Sequence, residues 1–294
     1  MFKTYPIAAF FENPRLKDMP FHINRLESMK RRATALEHPH KHNFYEIFIV
    51  KKGSARQSVD YQEFDLHDNM LFIISQGQLH FWEESHEVLE GYRLMFTEDF
   101  LLMNQANKNL LFELIYLDNV YQHPAISISE TDDKILEVYF NLLLKEYERK
   151  DAQDHALGAL LLLILTELQR LFNAHNYRDS TKYNVIIYKQ FITLLENNFA
   201  LNLSASDYAE KLCLSPRYLN RVVQNVSNQS VTQIIKNRIV LEAKRLLSFT
   251  NLTVSEISTQ LNFEDPSYFA RYFKKTIGLS PIEFKNNMSQ KYRK

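Results

Sequence analysis

Glycine is scarce, with only 5 among 294 residues. Phosphate-cradling loops are glycine-rich, and neither the Walker pattern nor the dinucleotide fingerprint occurs, which argues against nucleotide chemistry of those kinds. Cysteine is scarcer still. Cys213 stands alone, so no disulfide can close within the chain. Long apolar runs are missing too. The longest, Ala159–Leu165 within ALGALLLLILTEL, falls well short of the ~20 residues that span a bilayer. The opening Met1–Pro20 has no apolar core, so no secretory signal is expected. These absences predict a soluble, cytoplasmic protein with no membrane partner.

What is present suits two domains of roughly 100–200 residues. Apolar residues make up 45% of the chain, including 21 Phe and 16 Tyr. The net charge is zero but unevenly placed. Residues 1–183 hold 20 Lys and Arg against 27 Asp and Glu, a balance of −7; residues 184–294 hold 15 against 8, a balance of +7. A basic tail behind an acidic front suggests a polyanionic partner for the tail.

Residues 21–96 read as strands. YEIFIV (Tyr45–Val50), ARQSVDY (Ala55–Tyr61), NMLFII (Asn69–Ile74) and GYRLMF (Gly91–Phe96) are short, rich in β-branched and aromatic residues, and separated by turn residues. From Thr131 the apolar period lengthens to three and four, as in amphipathic helices. Leu136, Tyr139, Phe140 and Leu143 recur on one helix, and Leu161, Leu162, Leu165 and Leu168 on the next. Two uses compete for this hairpin: pairing with a second chain, or covering the sheet. NAHNYRDSTKYN is polar and aperiodic and reads as a linker.

Beyond the linker the chain reads as helical. Ser204/Asp207, Thr253/Glu256 and Ser280/Glu283 fit capping boxes. Ser215-Pro216, Asp265-Pro266 and Ser280-Pro281 each set a cap before a first-turn proline. Two segments then repeat each other: YAEKLCLSPRYLNRVV (Tyr208–Val223) and ISTQLNFEDPSYFARYF (Ile257–Phe273). Each has a small residue, a Leu three later, a turn residue, an apolar residue, a cap with proline, and a second helix reaching Arg221 or Arg271. The second turn is one residue longer. That is the grammar of a helix-turn-helix, twice.

In the first unit Leu219, Val222, Val223 and Val226 form the stripe to be buried, and Arg217, Asn220, Arg221 and Gln224 face out. In the second Phe269, Tyr272, Phe273 and Ile277 turn in, and Ser267, Ala270, Arg271 and Lys274 face out. Arg can grip the acceptor edge of guanine, Asn and Gln can pair with adenine, and Ala can pack on a thymine methyl. Lys274, Lys275, Lys236 and Arg238 are placed for phosphates.

These residues carry a resemblance. LSPRYLNRVVQ, ISTQLNFEDPSYFARYFKKTIGLSP and the intervening RIVLEAKRLL resemble the AraC/XylS family of bacterial transcription regulators over about the last 100 residues. Ser258, Asn262 and Lys285 stand where that family usually has Ala, Gly and Arg. In the front domain, His40, His42, Glu46 and Gly53 fit the first cupin signature. NMLFIISQGQLHFWEE, with Gly77 and His80, resembles the second, Ser75 replacing the usual Pro.

The resemblance implies an α+β protein. A cupin-like sensing barrel (1–130) is followed by a helical hairpin for dimerisation (131–175), a linker (176–185) and an all-α double helix-turn-helix domain (186–294). It implies a regulator, more often an activator, that binds double-stranded DNA, a small effector and RNA polymerase as a homodimer, with no enzymatic activity and no cofactor. His40, His42, Glu46, His80, Phe44, Phe72 and Trp82 are the candidate effector contacts. The His/Glu set would also suit Fe, Mn, Ni or Zn, although no metal is expected. Two alternatives stay open: a metal-dependent cupin enzyme whose tail only localises it, and a regulator answering to a protein partner.

Overall fold

A computed structural model describes residues 4–10, 20–28, 39–60, 62–82, 88–103, 114–117, 124–176 and 182–292. The chain divides into two compact units, Phe2–Arg178 and Asp179–Lys294.

The front unit contains strands β1 (Thr4–Tyr5), β2 (Phe21–Arg25), β3 (Lys41–His42), β4 (Tyr45–Lys52), β5 (Ala55–Val59), β6 (Gln62–Leu66), β7 (Met70–Ile74), β8 (His80–Trp82), β9 (Glu90–Phe96) and β10 (Ala125–Ser127). Five of them form an antiparallel sheet in the order β10-β7-β4-β9-β2. Three form a second sheet, β6-β5-β8, and β1 pairs with β3 in parallel. Alternation along β4 fixes which residues meet. Phe48 and Val50 join Val59, Leu66, Met70, Phe72 and Ile74 in the core between the two sheets. Tyr45, Ile47 and Ile49 point the other way, into a second apolar layer.

That second layer is closed by helices α1 (Glu98–Met103), α2 (Glu130–Tyr147) and α3 (Asp154–Asn176). Ser129 caps α2 by accepting from the Asp132 amide. Leu136, Phe140, Leu143, Leu161, Leu165 and Leu168 are fully buried against the sheet, and Tyr139 packs at their edge. Apart from Leu162, which is half-buried outside this cluster, the stripe expected to pair two chains therefore covers the sheet of its own chain. Among the described residues, the apolar side chains left exposed on these helices are Ile135, Val138, Leu142 and Leu163. The segment Asp154–Phe172 is long and apolar enough to cross a membrane, with mean hydropathy 1.4, a length the contiguous run had hidden. Its apolar face is instead taken up by the core just described. Lys51, near the end of β4, reaches Asp133 (3.3 Å) and Glu137 (2.7 Å) on α2.

The second unit is helical throughout its described elements: α4 (Lys182–Asn198), α5 (Ala205–Lys211), α6 (Pro216–Ser227), α7 (Val231–Phe249), α8 (Val254–Gln260), α9 (Pro266–Ile277) and α10 (Pro281–Tyr292). Helix α4 begins inside the stretch expected as linker; residues 177–181 of that stretch lie outside the described residues. The capping boxes at Ser204 and Thr253 are formed reciprocally. Ser280 and Glu283 exchange the same pair of bonds at the start of α10.

Candidate DNA interface and a buried polar cluster

The two turns have one construction. After α5, Cys213 takes a left-handed φ of 55°; after α8, Asn262 takes 59°. In the first turn the Cys213 amide donates to the Glu210 carbonyl and the Leu214 amide to that of Ala209, both at 2.9 Å. In the second, Asn262 donates to Thr259 (3.0 Å) and Phe263 to Ser258 (2.9 Å). This is the paired-bond helix ending that the left-handed residue makes possible. Ala209 and Ser258 are fully buried at the helix crossings.

Each second helix is then started by a cap and proline. Ser215 accepts from the Tyr218 amide ahead of α6. Asp265 accepts from the Ser267 and Tyr268 amides ahead of α9. The expected inward stripe of α6 is buried in full. On α9, Phe269 and Phe273 are buried while Tyr272 and Ile277 are half-buried. Left outward are Arg217, Arg221 and Gln224 on α6, and Ser267, Arg271, Lys274 and Lys275 on α9, with Ala270 half-buried between them.

Two residues differ from the sequence expectation. Asn220 is half-buried, and its Oδ1 accepts from the Val231 amide at 3.1 Å, capping the first turn of α7. Arg238 is buried rather than placed for phosphate. Its Nε donates to both oxygens of Glu196 (2.9 and 2.8 Å), its Nη1 donates to Glu242 (3.1 Å), and its guanidinium lies 3.6 Å from the Phe199 ring centre. Lys236 is half-buried, 5.9 Å from the Tyr272 ring. Two residues not anticipated hold the outward arginines. The Arg221 guanidinium stacks over Tyr218 at 4.9 Å, and Arg271 lies 3.7 Å from the Asp265 carboxylate.

In the front unit His40, His42, Glu46 and His80 are all buried, brought together by β3, β4, β8 and a backbone bridge between His40 and His80. Glu46 and Arg93 are diagonal neighbours on the inward face of β4 and β9, because Glu46 sits opposite Met95. Arg93 donates from Nε and Nη2 to Glu46 Oε1. Burial alone would raise the Glu46 carboxyl. The Arg93 guanidinium, helped by His42 and His80, reverses that and holds it below the ordinary carboxylate value. Burial, with His42 and His40 beside it, keeps His80 well below its ordinary value.

His42 stacks on Phe44 at 3.9 Å, 11° from parallel. Phe72 lies in the inter-sheet core. Trp82 stands half-exposed at its edge, edge-on to Phe48. Gln57 on β5, opposite Trp82, was not foreseen: it is fully buried and neither amide atom has a hydrogen-bond partner. A polar residue at an inward position of ARQSVDY, and a charged one in GYRLMF, were the available signals for Gln57 and Arg93.

A profile of the AraC-like ligand binding domain matches residues 31–174, and one of a helix-turn-helix domain matches residues 208–287. The chain is 26% identical over 249 residues to the transcriptional activator RhaS of Mannheimia succiniciproducens, covering 84% of this chain and 88% of that one. It is 22% identical over 253 residues to the activator RhaR of Salmonella dublin, with coverage of 85% and 88%. Among solved structures it is similar to fatty-acid-bound ToxT of Vibrio cholerae, at 15% identity and a TM-score of 0.42 over 91% of this chain and 95% of that one.

Proposed function

The chain belongs to the AraC/XylS family of transcription regulators, and from that premise we propose that a small molecule held between its two sheets governs its action on DNA. The observation that carries the effector reading is Gln57. An amide buried without partners costs about 1–3 kcal/mol. A ligand bearing a donor and an acceptor would remove that penalty, and His42 Nδ1 offers one further unpartnered nitrogen. Phe48, Phe72 and Trp82 supply the apolar walls that small-molecule sites favour.

On the DNA side, Arg217, Arg221 and Gln224 read one stretch of major groove, and Ser267, Ala270 and Arg271 read the next. Lys274 and Lys275 meet phosphates. Helix α7, 19 residues and so roughly 28 Å long, spaces the two readers. The relatives RhaS and RhaR are transcriptional activators, which supports activation through contact with RNA polymerase in the cytoplasm. The exposed Ile135, Val138, Leu142 and Leu163 support a homodimer through the outer side of the hairpin.

The test is Gln57→Leu, followed by thermal shift. Without any ligand the variant should melt higher than wild type, because an unpaired amide has been removed. In a screen of cell metabolites it should then lose the stabilisation that a true effector gives wild type. A variant that melts lower than wild type in the absence of ligand would mean that the amide is already satisfied, and the effector reading fails. Selection of bound genomic fragments with footprinting tests the DNA reading separately.

A further inference from the structure

We propose that Asn220 anchors the first helix-turn-helix unit to the phosphate backbone through its Nδ2 group, and that it does not read adenine. Its carbonyl is already committed. Asn220 Oδ1 accepts from the Val231 amide at 3.1 Å. Val231 is the first residue of α7, and a first-turn amide has no partner inside its own helix. The second unit shows what this bond is for. Both units leave their outward helix through a left-handed residue, Asn228 or Gly278, and reach a serine, Ser230 or Ser280, before the next helix. In the second unit that next helix, α10, begins with Pro281, which has no amide to satisfy. Ala270, the counterpart of Asn220 by its place before the outward arginine, has no side-chain acceptor. Asparagine stands where the following helix begins with an N–H, and alanine where it begins with proline.

With Oδ1 held on α7, Asn220 presents its amide N–H groups to an incoming partner. Pairing with adenine needs both amide atoms aimed at one base edge, the oxygen accepting from N6 and the nitrogen donating to N7. Turning the oxygen to a base would strand the Val231 amide. An acceptor-only partner carries no such cost, and phosphate oxygens are the acceptors that line a groove. The place of Asn220 on α6 agrees. At about 100° per residue, Arg217, Gln224 and Arg221 share an arc of about 60°, and Asn220 lies about 40° beyond the Gln224 edge. It is half-buried where those three are exposed. The middle of a helix in the major groove faces base edges, and its flanks face walls of sugar and phosphate. A short side chain set back on the flank meets the wall. An uncharged donor neutralises no phosphate, so this contact fixes the position of α6 and adds nothing to the salt dependence.

This anchor presupposes that α6 lies in the major groove as proposed above. The test is a cycle between the side chain and single phosphates. Full-length wild type and Asn220→Ala are titrated with the selected cognate duplex and with copies bearing one methylphosphonate each, moved stepwise along both strands. Asn220→Ala should bind the cognate duplex about tenfold more weakly, lose the same factor on every base-pair variant, and keep the wild-type salt slope. At one position the methylphosphonate should cost wild type about tenfold and cost Asn220→Ala little; elsewhere the two losses should multiply. Asn220→Asp keeps the capping oxygen and therefore the fold, and in it neutralising that same phosphate should raise affinity. Losses that multiply at every phosphate overturn the proposal, and so does a loss in Asn220→Ala confined to one A·T pair. Arg221→Ala is run beside it. Unchanged base preference in Arg221→Ala overturns the placing of α6 itself, whereas relaxed preference there with no coupled phosphate overturns the anchor alone.

Discussion

Replacing Arg238 by Ala separates a structural arginine from a phosphate-binding one. The side chain is 6% exposed and joins α7 to Glu196 of α4 through two bonds, with a third to Glu242 and a ring contact to Phe199. Breaking a buried pair by removing one partner costs about 3–5 kcal/mol. The Glu196 side chain is 36% exposed, so the abandoned carboxylate is partly hydrated and the lower end, about 2–3 kcal/mol, applies. Loss of the Phe199 contact adds about 1 kcal/mol. A total near 3–4 kcal/mol in a unit of this size should lower its melting temperature by roughly 10–20 °C. The double variant Arg238→Met/Glu196→Gln should lose much less, since no charge is stranded. Calorimetry of the full-length protein reads both. A second assay follows affinity for one duplex against salt, well below the melting point. Each phosphate contact contributes about −0.9 to the logarithmic slope. Arg238→Ala should leave the slope unchanged, and Lys275→Ala should flatten it by about 0.9. An Arg238→Ala protein that melts like wild type but loses one unit of slope would refute the reasoning.

Three further outcomes are expected. Arg221→Ala or Arg271→Ala should cost about 1–3 kcal/mol at the cognate site and relax base preference there, whereas Asn220→Ala should lower thermal stability by about 1 kcal/mol through loss of its cap; binding assays paired with melts distinguish the three. Cys213→Gly should stabilise the tail by about 0.5–1 kcal/mol in denaturant titrations, because a left-handed residue with a Cβ is strained, while Asn262→Gly should be nearly neutral. The front unit should weaken as pH falls below about 6.5. Burial, with Arg93 nearby, lowers His22 to about 3, so the unfolded chain takes up the proton first and stability drains until about pH 3. By pH 5 His22 alone removes about 2 kcal/mol, and His80 acts in the same direction. Melting curves at pH 7 and pH 5 check this.

Caps and turns of the tail were legible in the sequence because each depends on residues within a few positions of one another. Ser204 with Asp207, Thr253 with Glu256, and Asn262 at its left-handed turn are local chemistry. The inward stripe of α6 was legible because period and burial coincide there. The misread residues were decided at long range. Arg238 carries a charge that reads as surface, but Glu196, 42 positions earlier, draws it inside. Asn220 sits on the outward side of its helix, yet the next helix begins within reach of its carbonyl. The hairpin stripe fitted two partners equally well, and only the fold showed that the sheet occupies it. Gln57 and Arg93 were visible as polar residues in apolar strands, but the facing direction of β5 and β9 is set by pairing partners that the strands themselves do not encode.

The two helix-turn-helix units restrain their outward arginines by different forces. Tyr218 holds Arg221 by its ring face, a short-range attraction that dissolved ions weaken little. Asp265 holds Arg271 by charge alone, across 3.7 Å of solvent-exposed space. With a Debye length of about 8 Å at physiological ionic strength and about 3 Å at 1 M, that tether loosens as salt rises. One guanidinium is thus poised at every ionic strength. The other must first leave a carboxylate, so the duplication, symmetric in backbone, is asymmetric in its response to the medium.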